Sequence, residues 1–387
     1  MLSGFKHKFK LFVLSILSLV NRFTKHNENK ILIYDPDYFK GCNTGALFDY
    51  LIEEGYNQKY QIVYAARNFR ELRKHNYHNV SFIGKISGVY HFLTSRYVFY
   101  RSIWLKIKPA SGQHVIQMWH GSPIKRDAND RKPIKGVNPF FTGFLSASPH
   151  FDPIYSEVFG IPIDKIIRCG HSRTDALFKP SPNYDFGEYR KLVLWAPTFR
   201  KRQHQVYGSG KQMENDDTLV PLISSDKFYE VNERLKKKGI KVVIKLHPSQ
   251  NLDNYDLTEL DYLVLLSHQE FLTRGMSLYP FMKQCDALIT DYSSIYWDYL
   301  VLDRPIGFTE DDIEEYANGR GFIMEDPEKF KPGPKLRNME DFYQFIDDLA
   351  RDIDNYKEQR KEINEYGNPV TDGHSCKRAL EAVGITL

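Results

Sequence analysis

Ala287-Leu288-Ile289-Thr290-Asp291-Tyr292-Ser293-Ser294 is a short apolar run that stops in a polar turn, and Ile295-Tyr296-Trp297-Asp298-Tyr299-Leu300 follows with a helical pattern. A run of this kind reads as a parallel strand buried on both faces. Its turn into a helix leaves the N–H groups of the first helical turn without intrahelical partners, which makes a seat for phosphate. The stretch points to an α/β fold and to an enzyme that handles phosphorylated or nucleotide substrates.

The same alternation extends in both directions. Ile31–Tyr34, Tyr60–Tyr64 and Val80–Ile83 read as strands, with helices expected over Gly45–Glu53 and Phe69–Lys74. In the second half Leu192–Trp195 and Val242–Leu246 are strands, separated by a helix over Phe228–Lys238 that Gly239 closes. Lys236, Lys237 and Lys238 are the cations expected in a last helical turn, rather than a polyanion patch. Residues 341–365 read as one charged amphipathic helix and 374–384 as a last helix that crosses back toward the first half. At 387 residues the chain exceeds the size of a single core, and Pro180–Tyr184 is the best linker. The expected organisation is a basic-apolar segment over 1–28, a first Rossmann-like domain over 29–183 and a second over 184–387. Gln203–Asp217 reads as a long polar loop.

Composition narrows the function. Hydrophobic residues at 42% and charged residues at 26% describe a globular chain, and a net charge of +4 is too mild to argue for nucleic acid. Cys42, Cys169, Cys285 and Cys376 are widely spaced, without the pairing of a zinc site or disulfide framework, and read as reduced thiols. Leu11–Val20 is apolar for ten residues between Lys6, Lys8, Lys10 and Arg22, Lys25. It is too short to span a bilayer and lacks a signal-peptide cleavage region, but it suits a helix lying among anionic head groups, with a helix simply packed on the domain as the alternative.

Four strands run into polar turns: Val115–Trp119 into His120-Gly121-Ser122-Pro123-Ile124-Lys125, Leu192–Trp195 into Ala196-Pro197-Thr198-Phe199-Arg200, Val242–Leu246 into His247-Pro248, and Ala287–Thr290 into Asp291-Tyr292-Ser293-Ser294. Ligands of open α/β sheets bind outside the carboxyl ends of strands, so all four turns lie where a site forms. One is in the first half and three are in the second, the layout of two Rossmann-like domains that hold a nucleotide mainly on the second. His120 is a candidate base near neutral pH, with Gly121 allowing backbone to approach a ligand and Lys125 close behind. His247 is a second candidate, although either histidine alone also fits a hydrogen-bonded turn residue. Arg173 and Arg200 can clamp phosphate, while Arg173 with Asp175 equally fits a local ion pair. Arg126, Arg131, Lys132 and Lys135 beside Phe140 and Phe141 form a basic stretch that reads as a solvated loop or as an anion contact. Asp298 reads as an exposed or capping carboxylate rather than a metal ligand.

WHGSPIK at 119–125, GHSRTD at 170–175, WAPTFR at 195–200, KLHP at 245–248 and TDYSSIYWDYLVLDRPI at 290–306 together resemble the CDP-glycerol:polyglycerophosphate glycerophosphotransferase family of teichoic acid synthesis. Pro332-Gly333-Pro334 and Asp372-Gly373 fit as well. The resemblance implies a GT-B fold of two Rossmann-like domains with parallel sheets facing a central cleft. It also implies transfer of glycerol phosphate or ribitol phosphate from CDP-glycerol or CDP-ribitol to a hydroxyl of a lipid-linked acceptor, with release of CMP. By the same resemblance the catalytic residues are His120, His247 and Asp291, with His120 the base and His247 contacting the donor's diphosphate. Arg173 and Arg200 are phosphate contacts, Ser293 and Ser294 bind the same diphosphate, Asp291 orients the turn, and Gly121, Lys125 and Thr198 belong to the substrate site. No cofactor and no metal ligand is implied, dependence on a divalent metal is left open, and the expected location is the cytoplasmic face of the membrane. Ser172 and Ser122 depart from the usual proline and threonine, and Phe199 from a frequent tryptophan. A GT-B glycosyltransferase using a nucleotide sugar is the alternative reading.

Overall fold

The computed structural model describes residues 2–36, 41–102, 105–123, 138–198, 220–246, 252, 257, 259–319 and 321–387. The chain divides into two compact units. The first takes the described residues up to Ser122, those from Asn138 to Lys179, and Pro369–Leu387; the second takes Pro123 and the described residues of Pro180–Asn368.

The first unit is built on a seven-stranded sheet in the order β3-β2-β1-β4-β5-β6-β7. Its strands are β1 (Asn27–Tyr34), β2 (Gln61–Ala65), β3 (Val80–Ile83), β4 (Ser95–Tyr100), β5 (His114–Gln117), β6 (Gly143–Ser146) and β7 (Ile166–Arg168). The second unit carries a six-stranded sheet, β10-β9-β8-β11-β12-β13. It comprises β8 (Lys191–Ala196), β9 (Ile240–Lys245), β10 (Leu263–Leu266), β11 (Ala287–Thr290), β12 (Ile306–Thr309) and β13 (Lys335–Leu336). Every ladder is parallel. The apolar runs that marked strands in the sequence are the central strands: Ile31, Leu32 and Ile33 of β1, Leu192–Trp195 of β8 and Ala287–Ile289 of β11 are all fully buried. A parallel strand covered on both faces needs such an unbroken run.

The strand order reverses between β1 and β4 in the first sheet and between β8 and β11 in the second. At such a switch point the connections leave to opposite sides and a crevice opens at the carboxyl ends. Ala196–Thr198 and Asp291–Ser294 therefore leave neighbouring strands at the second switch point, as β8 pairs with β11. Gly333 lets β13 join β12, because a Cβ there would stand 1.8 Å from the Ile306 carbonyl oxygen.

Several elements differ from the sequence expectation for local reasons. The first helix of the α/β frame covers Asn43–Glu53 and starts two residues early, because Cys42 caps it with Sγ accepting from the Gly45 N–H at 3.4 Å. Residues 341–365 are not one helix but parts of two, Met339–Ala350 and Lys357–Gly367. Asp352 breaks the run at φ +57°, and buried Arg360 holds Asp354 in the connection at 2.8 Å. The helix Leu2–Phe23 is longer than its apolar run. One side is docked through buried Leu14, through Ser18 Oγ accepting from the Lys108 N–H at 3.0 Å, and through Asn21 Nδ2 donating to the Lys108 carbonyl and Gln113 Oε1, each at 2.9 Å. Phe9, Phe12, Ile16, Leu19 and Phe23 on the other side are exposed. All four cysteines are buried and free.

The last helix, Ser375–Glu381, belongs to the first unit and places Cys376, Ala379 and Leu380 in its core. Asp175 holds its start, accepting from the Ser375 and Cys376 N–H groups at 2.9 and 2.8 Å. Two bonds to a buried carboxylate are worth more than neutral ones, and their loss leaves two buried donors without an acceptor. Asp175→Ala should therefore cost on the order of 3 kcal/mol and open the segment after Pro369 to limited proteolysis. An unchanged urea midpoint and cleavage pattern would show that apolar packing alone docks the helix.

Candidate functional site

In the first unit the site grows from the exit of β5. The expected strand through Trp119 ends at Gln117, because Trp119 takes a left-handed φ of +51° and Gly121 a φ of +137°. The left-handed region is strained for a bulky residue by about 1–2 kcal/mol, whereas glycine enters it freely. The consecutive carbonyls of this turn are held from outside. Asn43 Nδ2 donates to the Met118 and Trp119 carbonyls at 3.0 and 3.3 Å. Arg173 Nη1 donates to the His120 carbonyl, and the Tyr155 hydroxyl to the Gly121 carbonyl at 3.0 Å. Ser122 Oγ is hydrogen-bonded to His171 Nε2 at 3.0 Å. The backbone around His120 is fixed on every side, while the His120 side chain is exposed and its ring leans on Trp119 with centroids 4.5 Å apart.

This places Arg173, a nearly buried residue, against the His120 carbonyl. Asp175 turns instead to the last helix. At the switch point of the same sheet, Asp35 at the exit of β1 is buried and held by Arg101 at 3.0 Å and the Thr44 hydroxyl at 2.7 Å.

In the second unit Asp291 is fully buried at the exit of β11. Its Oδ2 accepts from both the N–H and the hydroxyl of Thr198, each at 2.8 Å. The carboxylate thus clasps the exit of β8 to that of β11. Thr290 Oγ1 adds a bond to the Ala196 carbonyl at 2.8 Å. Ser293 and Ser294 stand half-buried on the turn into the one-turn helix Ile295–Tyr299. Asp298 is not exposed: it is fully buried and accepts from the Tyr279 hydroxyl at 2.7 Å. Behind the turn Tyr292 stacks on Tyr316 at 3.8 Å, near a fully buried Lys331–Glu310 ion pair. Burial raises the Glu310 carboxyl, against the pull of Lys331. Lys245, at the end of β9, is pushed below its ordinary value by burial.

Lys125, Arg200 and His247 lie outside the described residues, as do Arg126, Arg131, Lys132, Lys135 and Phe199. Among the described residues no group of three or more His, Cys, Asp or Glu is placed to hold a metal. Sequence reasoning missed Asn43, Tyr155 and His171 as parts of the His120 turn. His171 sits in GHSRTD and offered a signal, but Asn43 is 77 positions before His120 and offered none.

Two units, each with a parallel sheet and polar turns at the strand exits, define a GT-B-type transferase frame. The sequence profile described as "CDP-Glycerol:Poly(glycerophosphate) glycerophosphotransferase" matches residues 17–384, and the chain belongs to that family. It is a glycerophosphotransferase-type enzyme. The chain is 28% identical to the teichoic acid poly(glycerol phosphate) polymerase of Bacillus spizizenii over 97% of each sequence. It is 25% identical to the teichoic acid glycerol-phosphate transferase of Staphylococcus aureus, over 92% of this chain and 93% of that one. A solved structure of the wall teichoic acid polymerase TagF superposes with a TM-score of 0.71 at 18% identity, covering 99% and 97% of the two chains. A putative UDP-N-acetylglucosamine 2-epimerase from Listeria monocytogenes reaches 0.56 at 14% identity, covering 92% and 96%. Both structural likenesses concern the fold.

His171 gives the site a pH signature. Burial first, and the Arg173 charge second, hold its imidazole well below the ordinary value, so it is neutral in the fold. An unfolded histidine takes up a proton near pH 6.5 and the folded one does not, so stability is retained above that pH and falls below it. The slope from this residue is at most about 1.4 kcal/mol per pH unit. His171→Asn should flatten the loss of stability between pH 7 and 5.5, measured by denaturant unfolding. An identical slope in the variant would assign the acid sensitivity to other histidines.

Proposed function

We propose that the chain transfers glycerol phosphate, or ribitol phosphate, from a CDP-alcohol to a hydroxyl of a lipid-linked teichoic acid or related acceptor and releases CMP. The observation that carries this reading is the exposed His120 side chain on a turn whose successive carbonyls are all hydrogen-bonded, in a chain of the glycerophosphotransferase family. A base held in one position spends little free energy on being oriented when its substrate arrives.

In this mechanism His120 accepts the proton of the acceptor hydroxyl as its oxygen attacks the phosphorus that bears the glycerol or ribitol. The bond from that phosphorus to the bridging oxygen breaks, and CMP leaves with the electron pair. Charge develops on the leaving phosphate, and Ser293, Ser294, Arg200 and His247 are assigned to it. Lys125 and Gly121 are assigned to substrate contact. Asp291 orients: by clasping Thr198 it holds two strand-exit turns at the switch point, a job for a buried carboxylate that requires no metal. The relatives' names include both glycerol-phosphate and ribitol-phosphate enzymes, so both donors belong in the assay.

The reading places the enzyme at the cytoplasmic face of the membrane as a peripheral protein. No helix among the described residues is long and apolar enough to cross a bilayer. The helix Leu2–Phe23 instead has one side hydrogen-bonded to its unit and an exposed row of Phe9, Phe12, Ile16, Leu19 and Phe23 on the other. In the sequence Lys6, Lys8 and Lys10 precede the apolar run and Arg22 and Lys25 follow it, a pattern that suits anionic head groups.

His120→Ala should lower CMP release by roughly a hundred- to ten-thousand-fold with CDP-glycerol or CDP-ribitol. A fully active variant removes His120 from the chemistry, and release from UDP- or GDP-sugars instead of CDP-alcohols would move the protein to the glycosyltransferases. Replacing Phe9, Phe12, Ile16 and Leu19 together by glutamine should abolish co-sedimentation with phosphatidylglycerol-containing vesicles. Sedimentation unchanged from the parent protein would reject the membrane assignment.

A further inference from the structure

We infer that Asn43 is a positioning residue for His120, an assignment that rests on the proposed role of His120 as the base. Asn43 is the first residue of the helix Asn43–Glu53, is buried, and joins three separate pieces of the first unit through one amide. Its Nδ2 donates to the Met118 and Trp119 carbonyls, at 3.0 and 3.3 Å. Its Oδ1 accepts from the Arg173 N–H at 3.3 Å. Arg173 in turn donates through Nη1 to the carbonyl of His120. One side chain therefore reaches the base twice: directly through the two residues before it, and through the arginine that holds its own carbonyl.

The geometry explains why an amide occupies the position. Two carbonyl oxygens must be met by a donor and one N–H by an acceptor within a single short side chain, and asparagine has both. An aspartate of the same shape would keep the acceptor but present a second oxygen to the Met118 and Trp119 carbonyls. Alanine would remove all three bonds from a buried site. The turn itself needs the restraint, because Trp119 sits at φ +51°, a conformation that a tryptophan leaves once the surroundings stop enforcing it. Relaxation there rotates the next residue, which is His120. A displacement of the base by about 1 Å is enough to cost about a hundredfold in rate.

A purely structural asparagine would lower the amount of folded protein and leave the kinetics of the folded fraction unchanged. A positioning residue lowers turnover and acts only while the base it positions is present. The test is a double-mutant cycle on the full chain, with CMP release from CDP-glycerol to a lipid-linked acceptor followed in single turnover and at steady state. Asn43→Ala is expected to lower kcat by about 10- to 100-fold with KM for CDP-glycerol within twofold. Asn43→Asp should lose at least as much although it keeps the side-chain shape. In the His120→Ala background Asn43→Ala should cause no further loss.

Asn43→Ala activity within threefold of the parent, or losses that multiply in the double variant, overturn the inference while His120→Ala remains impaired. A fully active His120→Ala overturns the base assignment and this inference with it. Circular dichroism melts accompany each variant. Where Asn43→Ala melts below the assay temperature, the same cycle is run with the isosteric Asn43→Asp, and the same two outcomes decide.

Discussion

A parallel sheet completes its hydrogen bonds along the ladder and then releases the chain, so the backbone polar groups just past each strand have to be satisfied by something else. In this protein buried side chains from distant parts of the sequence satisfy them. Asn43, Arg173 and Tyr155 close the carbonyls after β5, and Asp291 closes the Thr198 N–H and hydroxyl after β8. Asp175 does the same for the first N–H groups of the last helix. Inside a low-dielectric core each of these bonds is costly to lose, because a stranded buried donor or acceptor recovers nothing from water.

Function follows from where this closure falls. The apolar strands fill the two cores, and at their carboxyl ends chain direction, polarity and exposure change together. The closing bonds there convert flexible exits into fixed turns. A strained tryptophan beside an exposed histidine is tolerated because four neighbouring side chains enforce it. Of the buried carboxylates, Asp291, Asp298 and Asp175 each accept a hydrogen bond from a donor of the protein itself.

Much of the frame was legible. Leu192–Trp195, Val242–Leu246 and Ala287–Thr290 read correctly as strands because apolar runs ending in Pro, Gly or Asp have few other solutions in an α/β chain. β4, β6, β7, β10, β12 and β13 escaped notice; β7 and β13 are three and two residues long, whereas β4 and β10 carry apolar runs of four residues that the sequence reading passed over. The single helix expected over 341–365 failed where Asp352 turns left-handed and Arg360 captures Asp354, a pairing that no periodicity reports. Arg173 was visible as a charge. Its attachment to the His120 carbonyl was not, since it depends on which loop lies against the exit of β5.

The sequence by itself determined that this is an α/β chain with polar turns after its central strands, because burial on both faces demands apolar runs and a turn demands their interruption. Its five ordered motifs also determined the family. The tertiary structure alone decided which residues serve those turns: that Asp291 binds Thr198, that Asp175 binds the last helix, and that Asn43 holds the backbone just before His120. The physical reason is that periodicity encodes local burial, whereas hydrogen bonds between residues 75 and 76 positions apart exist only after two strands and a helix have been packed to a common end.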